Sequence, residues 1–207
     1  MVHLIVELSK YALIILFSVY TYECFAVFRN ISERKQEKKF RRQARILYAI
    51  HFTAYLVIFA VTEDAYTFIF YLAQIILLVV VRNVYKLCYP TASRLLVNNM
   101  CMLMAVGFIM ICRLDYDKCV KQFLIAAGGT IITFFIPALL KRVKSFRNMG
   151  WIYCITGITL LLAVLFCTEV FGANLVLTLG PVSVQPGEFV KILFVMFVAS
   201  MFNKSTS

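Results

Sequence analysis

The chain has 207 residues, 62% of them hydrophobic and only 15% charged, with a formal net charge of +11. Soluble domains carry roughly 25% charged residues, so this composition excludes a soluble enzyme and describes a polytopic, all-α membrane protein. In a soluble protein such a positive excess would suggest nucleic acid; here the cations follow the membrane pattern described below, and no nucleic-acid-binding fold accompanies them.

A spanning helix needs roughly 20 mostly apolar residues. The sequence predicts seven: Leu4–Phe28, Ile46–Val61, Ala65–Val81, Leu95–Cys112, Gln122–Leu140, Trp151–Thr168 and Phe189–Phe202. The first is too long and too aromatic for a cleaved signal peptide and is expected to remain as a span. The second and third are short and separated by Thr62-Glu63-Asp64, which predicts a tight helical hairpin. None of the runs alternates apolar and polar residues as barrel strands do.

The cations divide unevenly between the two sides. The first connection, Arg29 to Arg45, holds eight Lys/Arg; with Arg82, Lys86, Arg94, Lys141, Arg142, Lys144, Arg147 and Lys204, one side collects 16 of the 21. The opposite connections hold Arg113, Lys118 and Lys121. Positive charge stays cytoplasmic, so the N-terminus is expected outside, the C-terminus inside, and the Gly172–Glu188 loop outside. The Arg29–Arg45 run reads as a topology anchor that also suits anionic lipid.

Ionisable groups inside a membrane are costly and therefore informative. Glu7 and Lys10 stand near the outer end of the first span. Glu23 stands near its inner end, within reach of the Arg29–Arg45 cations, and His51 near the middle of the second span. Asn98 and Asn99 open the fourth span and are candidates for bonding helices together. Seven cysteines include no C-x-x-C pair. They read as buried thiols, with Cys112 and Cys119 flanking one short loop. No metal-ligand motif is present, and no cofactor is evident. Glu169 closes the sixth span. Glu188 opens the seventh behind Gln185-Pro186-Gly187, with Lys191 three residues on along the same helix face. These charges suit either a headgroup site or an interfacial ion-pair set.

These residues resemble a known family. Arg113-Leu-Asp-Tyr-Asp-Lys-Cys-Val-Lys-Gln122, a glycine-containing span, and then Gly172-Ala173, Leu179-Gly180 and Gln185-Pro186-Gly187-Glu188-Phe189-Val190-Lys191 are similar to the N-terminal half of the FtsW/RodA/SpoVE (SEDS) family. The family's loop runs close to G-A-K-R-W-I, L-G, Q-P-S-E-F-x-K. This chain departs from it with Asn174, Leu175 and Val176 at the K-R-W positions and Gly187 at the serine. The resemblance makes residues 95–207 the family's first four helices and residues 1–94 an added three-helix unit.

The resemblance implies a peptidoglycan glycosyltransferase of cell division or cell shape in the bacterial plasma membrane. Such an enzyme polymerises lipid II, with a penicillin-binding-class transpeptidase as partner, and a divalent cation is compatible with the complete enzyme. In that frame Gln185, Pro186, Glu188, Lys191 and Glu169 shape the substrate loop. Arg113, Asp115, Lys121 and Gln122 form a structural turn. The family's catalytic aspartate lies in a large loop further along than its fourth helix, so no catalytic residue is assigned here. The chain is expected to be a truncated member, a gene fragment or one piece of a split protein, inactive alone. The alternatives are a non-catalytic scaffold of the cell-wall machinery and a small transporter of lipid-linked substrate using Glu169, Glu188 and His51.

Overall fold

The computed structural model describes residues 2–29, 32–142, 149–164, 168–170, 173–179 and 182–205. Side chains are described over 2–29, 32–139, 149–164 and 185–202. Within these residues the protein is a predominantly helical, multi-pass membrane protein. Each expected span overlaps a helix: α1 (Val2–Ala26), α2 (Glu33–Thr62), α3 (Ala65–Cys88), α4 (Arg94–Leu114), α5 (Tyr116–Arg142), α6 (Gly150–Ala163) and α7 (Pro186–Ser205). The sixth is shorter than expected, with Thr168 and Glu169 on a strand instead of at its end. Helices α1 to α5 are long and apolar enough to cross a membrane. The seventh helix runs 20 residues rather than the 14 of its apolar core, about 30 Å of rise. The chain forms two compact units, Met1–Ile132 and Thr133–Ser207.

The first unit is built around α2, which packs against α1, α3 and α4. Its inward stripe is Ala44, Ile46, Leu47, Ile50, Ala54 and Tyr55, all buried. Ile46, Leu47 and Ile50 join Tyr20, Leu78, Val81, Cys101, Met102 and Ala105 in one cluster, and Tyr55 joins Phe70, Phe108, Cys112 and Cys119 in a second. Leu8, Ile14, Ile15 and Phe25 of α1 and Leu124, Ile125, Ile131 and Ile132 of α5 are exposed apolar side chains. On membrane helices such faces are solvated by lipid.

The basic stretch read as a connection is mostly helix. It begins at Glu33 after Ser32, which has extended backbone in the N-cap position. Glu, Lys, Gln, Arg and Ala are strong helix formers, and Glu37 and Arg41 pair at i,i+4, 3.2 Å apart. Two turns follow expectation more closely. Glu63 ends α2 in the left-handed conformation at φ 52°, and the Asp64 side chain accepts the Tyr66 amide at 3.0 Å to cap α3. At the α4–α5 corner, Asp115 donates its own amide to Ile111 O at 2.8 Å, and its Oδ1 accepts the Lys118 amide at 3.0 Å. One residue thus ends one helix and caps the next.

In the second unit α6 packs against α7. The Gly150 backbone lies so close to α7 that an added Cβ would sit 2.9 Å from Ser200 Oγ. The segment between α6 and α7 adds an element the sequence reading left as loop: a small antiparallel sheet of β1 (Thr168–Val170), β2 (Ala173–Leu179) and β3 (Val182–Val184), ordered β1-β2-β3. Val170 pairs with Ala173 and Leu179 with Val182, so each hairpin closes over two residues. Asn174 to Leu179 alternates polar or small with branched side chains only loosely, which hid the strand. The β2 strand packs near α7.

Candidate functional site

The residues expected to shape a substrate loop sit on the sheet and the start of α7. Pro186 is buried at the first position of α7, where its missing N–H costs nothing and its fixed φ suits a helix. The Gln185 carbonyl accepts the Glu188 amide at 3.2 Å. Glu188 and Lys191 then fall on one exposed face of the first turn, with Lys191 Nζ donating to Glu188 Oε1 at 2.7 Å. Glu188 is also the acidic group at the positive end of the helix dipole. Glu169 lies on β1 with Asn174 opposite it on β2. Its side chain falls outside the described residues, as do Gly172, Gly180 and the Lys144–Arg147 connection. The structure therefore places Gln185, Pro186, Glu188 and Lys191 together at the start of α7, with Glu188 and Lys191 paired.

The expected turn is a structural device centred on Asp115. Beyond its capping bonds, Asp115 pairs with Lys118 at 3.0 Å. The Lys118 amide and ammonium hold the Asp115 carboxyl below the usual carboxylate range. Arg113, Lys121 and Gln122 are exposed around it. Sequence reading named the turn and counted Lys118 only among the cations of this connection; its i,i+3 spacing from Asp115 was the available signal for the pair.

The intramembrane polar groups are held inside the first unit. Glu23 is fully buried, with Lys39 Nζ 2.8 Å and Arg42 Nη1 3.0 Å from its two oxygens. These are ion pairs by distance without the alignment of full hydrogen bonds. This carboxylate is buried beneath the basic part of α2. Asn98 Nδ2 donates to Gln43 Oε1 at 3.0 Å and to the Phe40 carbonyl at 3.2 Å. Asn99 Oδ1 accepts from Tyr20 OH at 2.9 Å and Cys24 at 3.3 Å. The two asparagines thus tie α4 to α2 and α1. His51 Nε2 meets Gln74 Oε1 at 3.0 Å, and Tyr55 and Tyr71 pack on its ring. Gln74, buried on α3, is the partner the sequence reading did not name. Among the described residues, no three His, Cys, Asp or Glu side chains group closely enough to hold a metal ion.

The model of the cell cycle protein family FtsW/RodA/SpoVE matches residues 90–207. The probable peptidoglycan glycosyltransferase FtsW of Neisseria gonorrhoeae (strain NCCP11945) is 29% identical over 77 residues, covering 37% of this chain and 17% of that protein. No solved structure matches. The matched family region extends over more than half of the sequence and takes in the α4–α5 corner, the small sheet and the Gln185–Lys191 turn: the chain belongs to the FtsW/RodA/SpoVE family.

Proposed function

We propose that this chain forms the N-terminal membrane portion of a lipid II-polymerising peptidoglycan glycosyltransferase in the bacterial plasma membrane, serving cell division or cell shape. The observation that carries the reading is the family match over residues 90–207, with its most specific motif built into an exposed helix start at Gln185–Lys191. The segment aligned to the curated relative spans 17% of that protein. The full reaction, the lipid II substrate and a penicillin-binding-class transpeptidase partner therefore belong to this proposal.

In this reading the N-terminus lies outside and the C-terminus inside, and the sheet and α7 start face the outer leaflet. Lys191 is the cation of the site, and Glu188 holds it when no lipid is bound. The diphosphate of an undecaprenyl carrier competes with Glu188 for Lys191, while Pro186 fixes the helix start and Gln185 and Glu169 shape the wall. The turn at Arg113, Asp115, Lys121 and Gln122 orients α5. In this frame residues 168–191 supply a supporting wall of the substrate site.

The test is photo-crosslinking of the membrane-embedded chain with a benzophenone-bearing lipid II. Adducts are expected within residues 168–191 and are lost on Lys191→Gln. Labelling elsewhere, unaffected by that substitution, refutes the site. Co-purification with a complete family member without lipid II adducts favours the scaffold reading.

A further inference from the structure

A second site stands at the other end of the first unit. The N-terminal part of α2, the end of α3 and the start of α4 enclose a cavity of about 170 Å³. Its wall includes Arg41, Arg82, Lys86 and Arg94, and Glu37 is the one carboxylate among its described lining residues. Phe40, Tyr85, Tyr89 and Val97 supply an apolar side. Three helices converge on the single anion. Arg41 of α2 reaches Glu37 at 3.2 Å, Lys86 of α3 at 3.9 Å, and Arg94 of α4 hydrogen-bonds its other oxygen. Arg82 stands beside them, 3.5 Å from Tyr48 OH. Glu37 belongs to the polar extension of α2, outside its apolar run. Its carboxyl is held below the usual range by the hydrogen bonds from Arg94 and Arg41.

Four cations face one carboxylate, which leaves the cavity with three positive charges in excess. Such a seat suits a phosphate, which accepts bidentate guanidinium bonds that a single carboxylate does not exhaust. Its apolar wall and its place where the apolar runs of α2, α3 and α4 meet their basic ends favour a phosphate that arrives attached to a lipid. We propose that this cavity binds the headgroup phosphate of an anionic phospholipid. Most of its lining precedes residue 90, so the site lies largely outside the family-matched region and is independent of the glycosyltransferase reading.

The experiment is native mass spectrometry of the full chain released from micelles containing phosphatidylglycerol and phosphatidylcholine. The wild-type chain is expected to retain one phosphatidylglycerol in preference to phosphatidylcholine. Arg82→Gln/Lys86→Gln is expected to weaken that retention by about 30-fold, two surface cations' worth of attraction. Arg34→Gln/Lys38→Gln removes the same charge from exposed positions outside the cavity and is expected to weaken it by less than about threefold. Glu37→Gln removes the competing anion and is expected to raise retention by about fivefold. Glu33→Gln, an equal charge change outside the cavity, leaves it unchanged. A gain from Glu37→Gln is not produced by misfolding, so that arm stands even if the arginine–lysine variant fails to fold. Equal losses from the two double variants, or equal effects of the two glutamate variants, overturn the site in favour of diffuse attraction. Displacement of the lipid by millimolar inorganic phosphate overturns the lipid assignment and makes free phosphate the ligand.

Discussion

Replacing Glu23 by glutamine tests the packing of α1 on α2 at its most exposed assumption, a charge inside a membrane bundle. The Glu23 side chain is 1% exposed, Lys39 is 26% and Arg42 is 56%. Removing one partner of a buried pair costs roughly 3–5 kcal/mol, because the remaining charge is left without compensation. Here the orphaned cations regain water, Arg42 almost freely, so the expected loss is lower, about 2–3 kcal/mol. That corresponds to a fall in melting temperature of roughly 4–12 °C for a chain of this size. Thiol reactivity during heating in detergent reads it directly, because Cys101, Cys112 and Cys119 are buried until the unit opens. Glu7→Gln provides the internal comparison. The Glu7–Lys10 pair at 2.6 Å is exposed and is expected to contribute less than about 0.5 kcal/mol. If Glu23→Gln melts within about 1 °C of wild type, or no lower than Glu7→Gln, the ion-paired packing of α1 on α2 is wrong.

Four further outcomes are expected. His51→Phe leaves buried Gln74 without its ring partner and lowers stability by about 1 kcal/mol, whereas His51→Phe/Gln74→Leu recovers much of the loss, read in the same melt. Gly150→Val forces a branched side chain into Ser200 and costs roughly 1–3 kcal/mol by overpacking α6 on α7; tryptophan emission from Trp151 on heating follows it. In a chain stripped of its native cysteines, Thr178→Cys on β2 reacts with an impermeant maleimide added outside intact cells; reaction only after permeabilisation reverses the proposed orientation. Asp115 has a depressed folded pKa, so its stabilisation is complete above the ordinary carboxylate range near pH 4 and is lost as pH falls through the lower folded value. The stability difference between wild type and Asp115→Asn therefore shrinks in acid.

The helices were legible because each membrane span must satisfy its own backbone bonds, and long apolar runs announce that requirement without reference to neighbours. Asn98 and Asn99 were legible for a related reason: amides at the start of an apolar span need partners, and Gln43 and Tyr20 supply them. The helix from Glu33 to Arg45 was hidden by its own charge. A dense basic stretch suggests a connection, and only the Glu37–Arg41 spacing betrayed the turn repeat. The sheet at 168–184 was hidden by glycine and proline, which mark a shaped loop but do not say whether its arms pair. The motif at Gln185–Lys191 was visible in the sequence down to its ion pair. The convergence of Arg41, Lys86 and Arg94 on Glu37 was not, because those residues come from three helices and meet only when α2, α3 and α4 pack.

Helix α2 has one further consequence. Its 30 residues make a rod of about 45 Å, against a hydrocarbon core near 30 Å. The excess third is about ten residues, Glu33 to Arg42, and this basic end is held by its neighbours: Lys39 and Arg42 reach Glu23 of α1, and Lys86 of α3 and Arg94 of α4 reach Glu37. One unbroken helix therefore joins the basic boundary layer, where those ion pairs lie, to the tight turn at Thr62–Asp64.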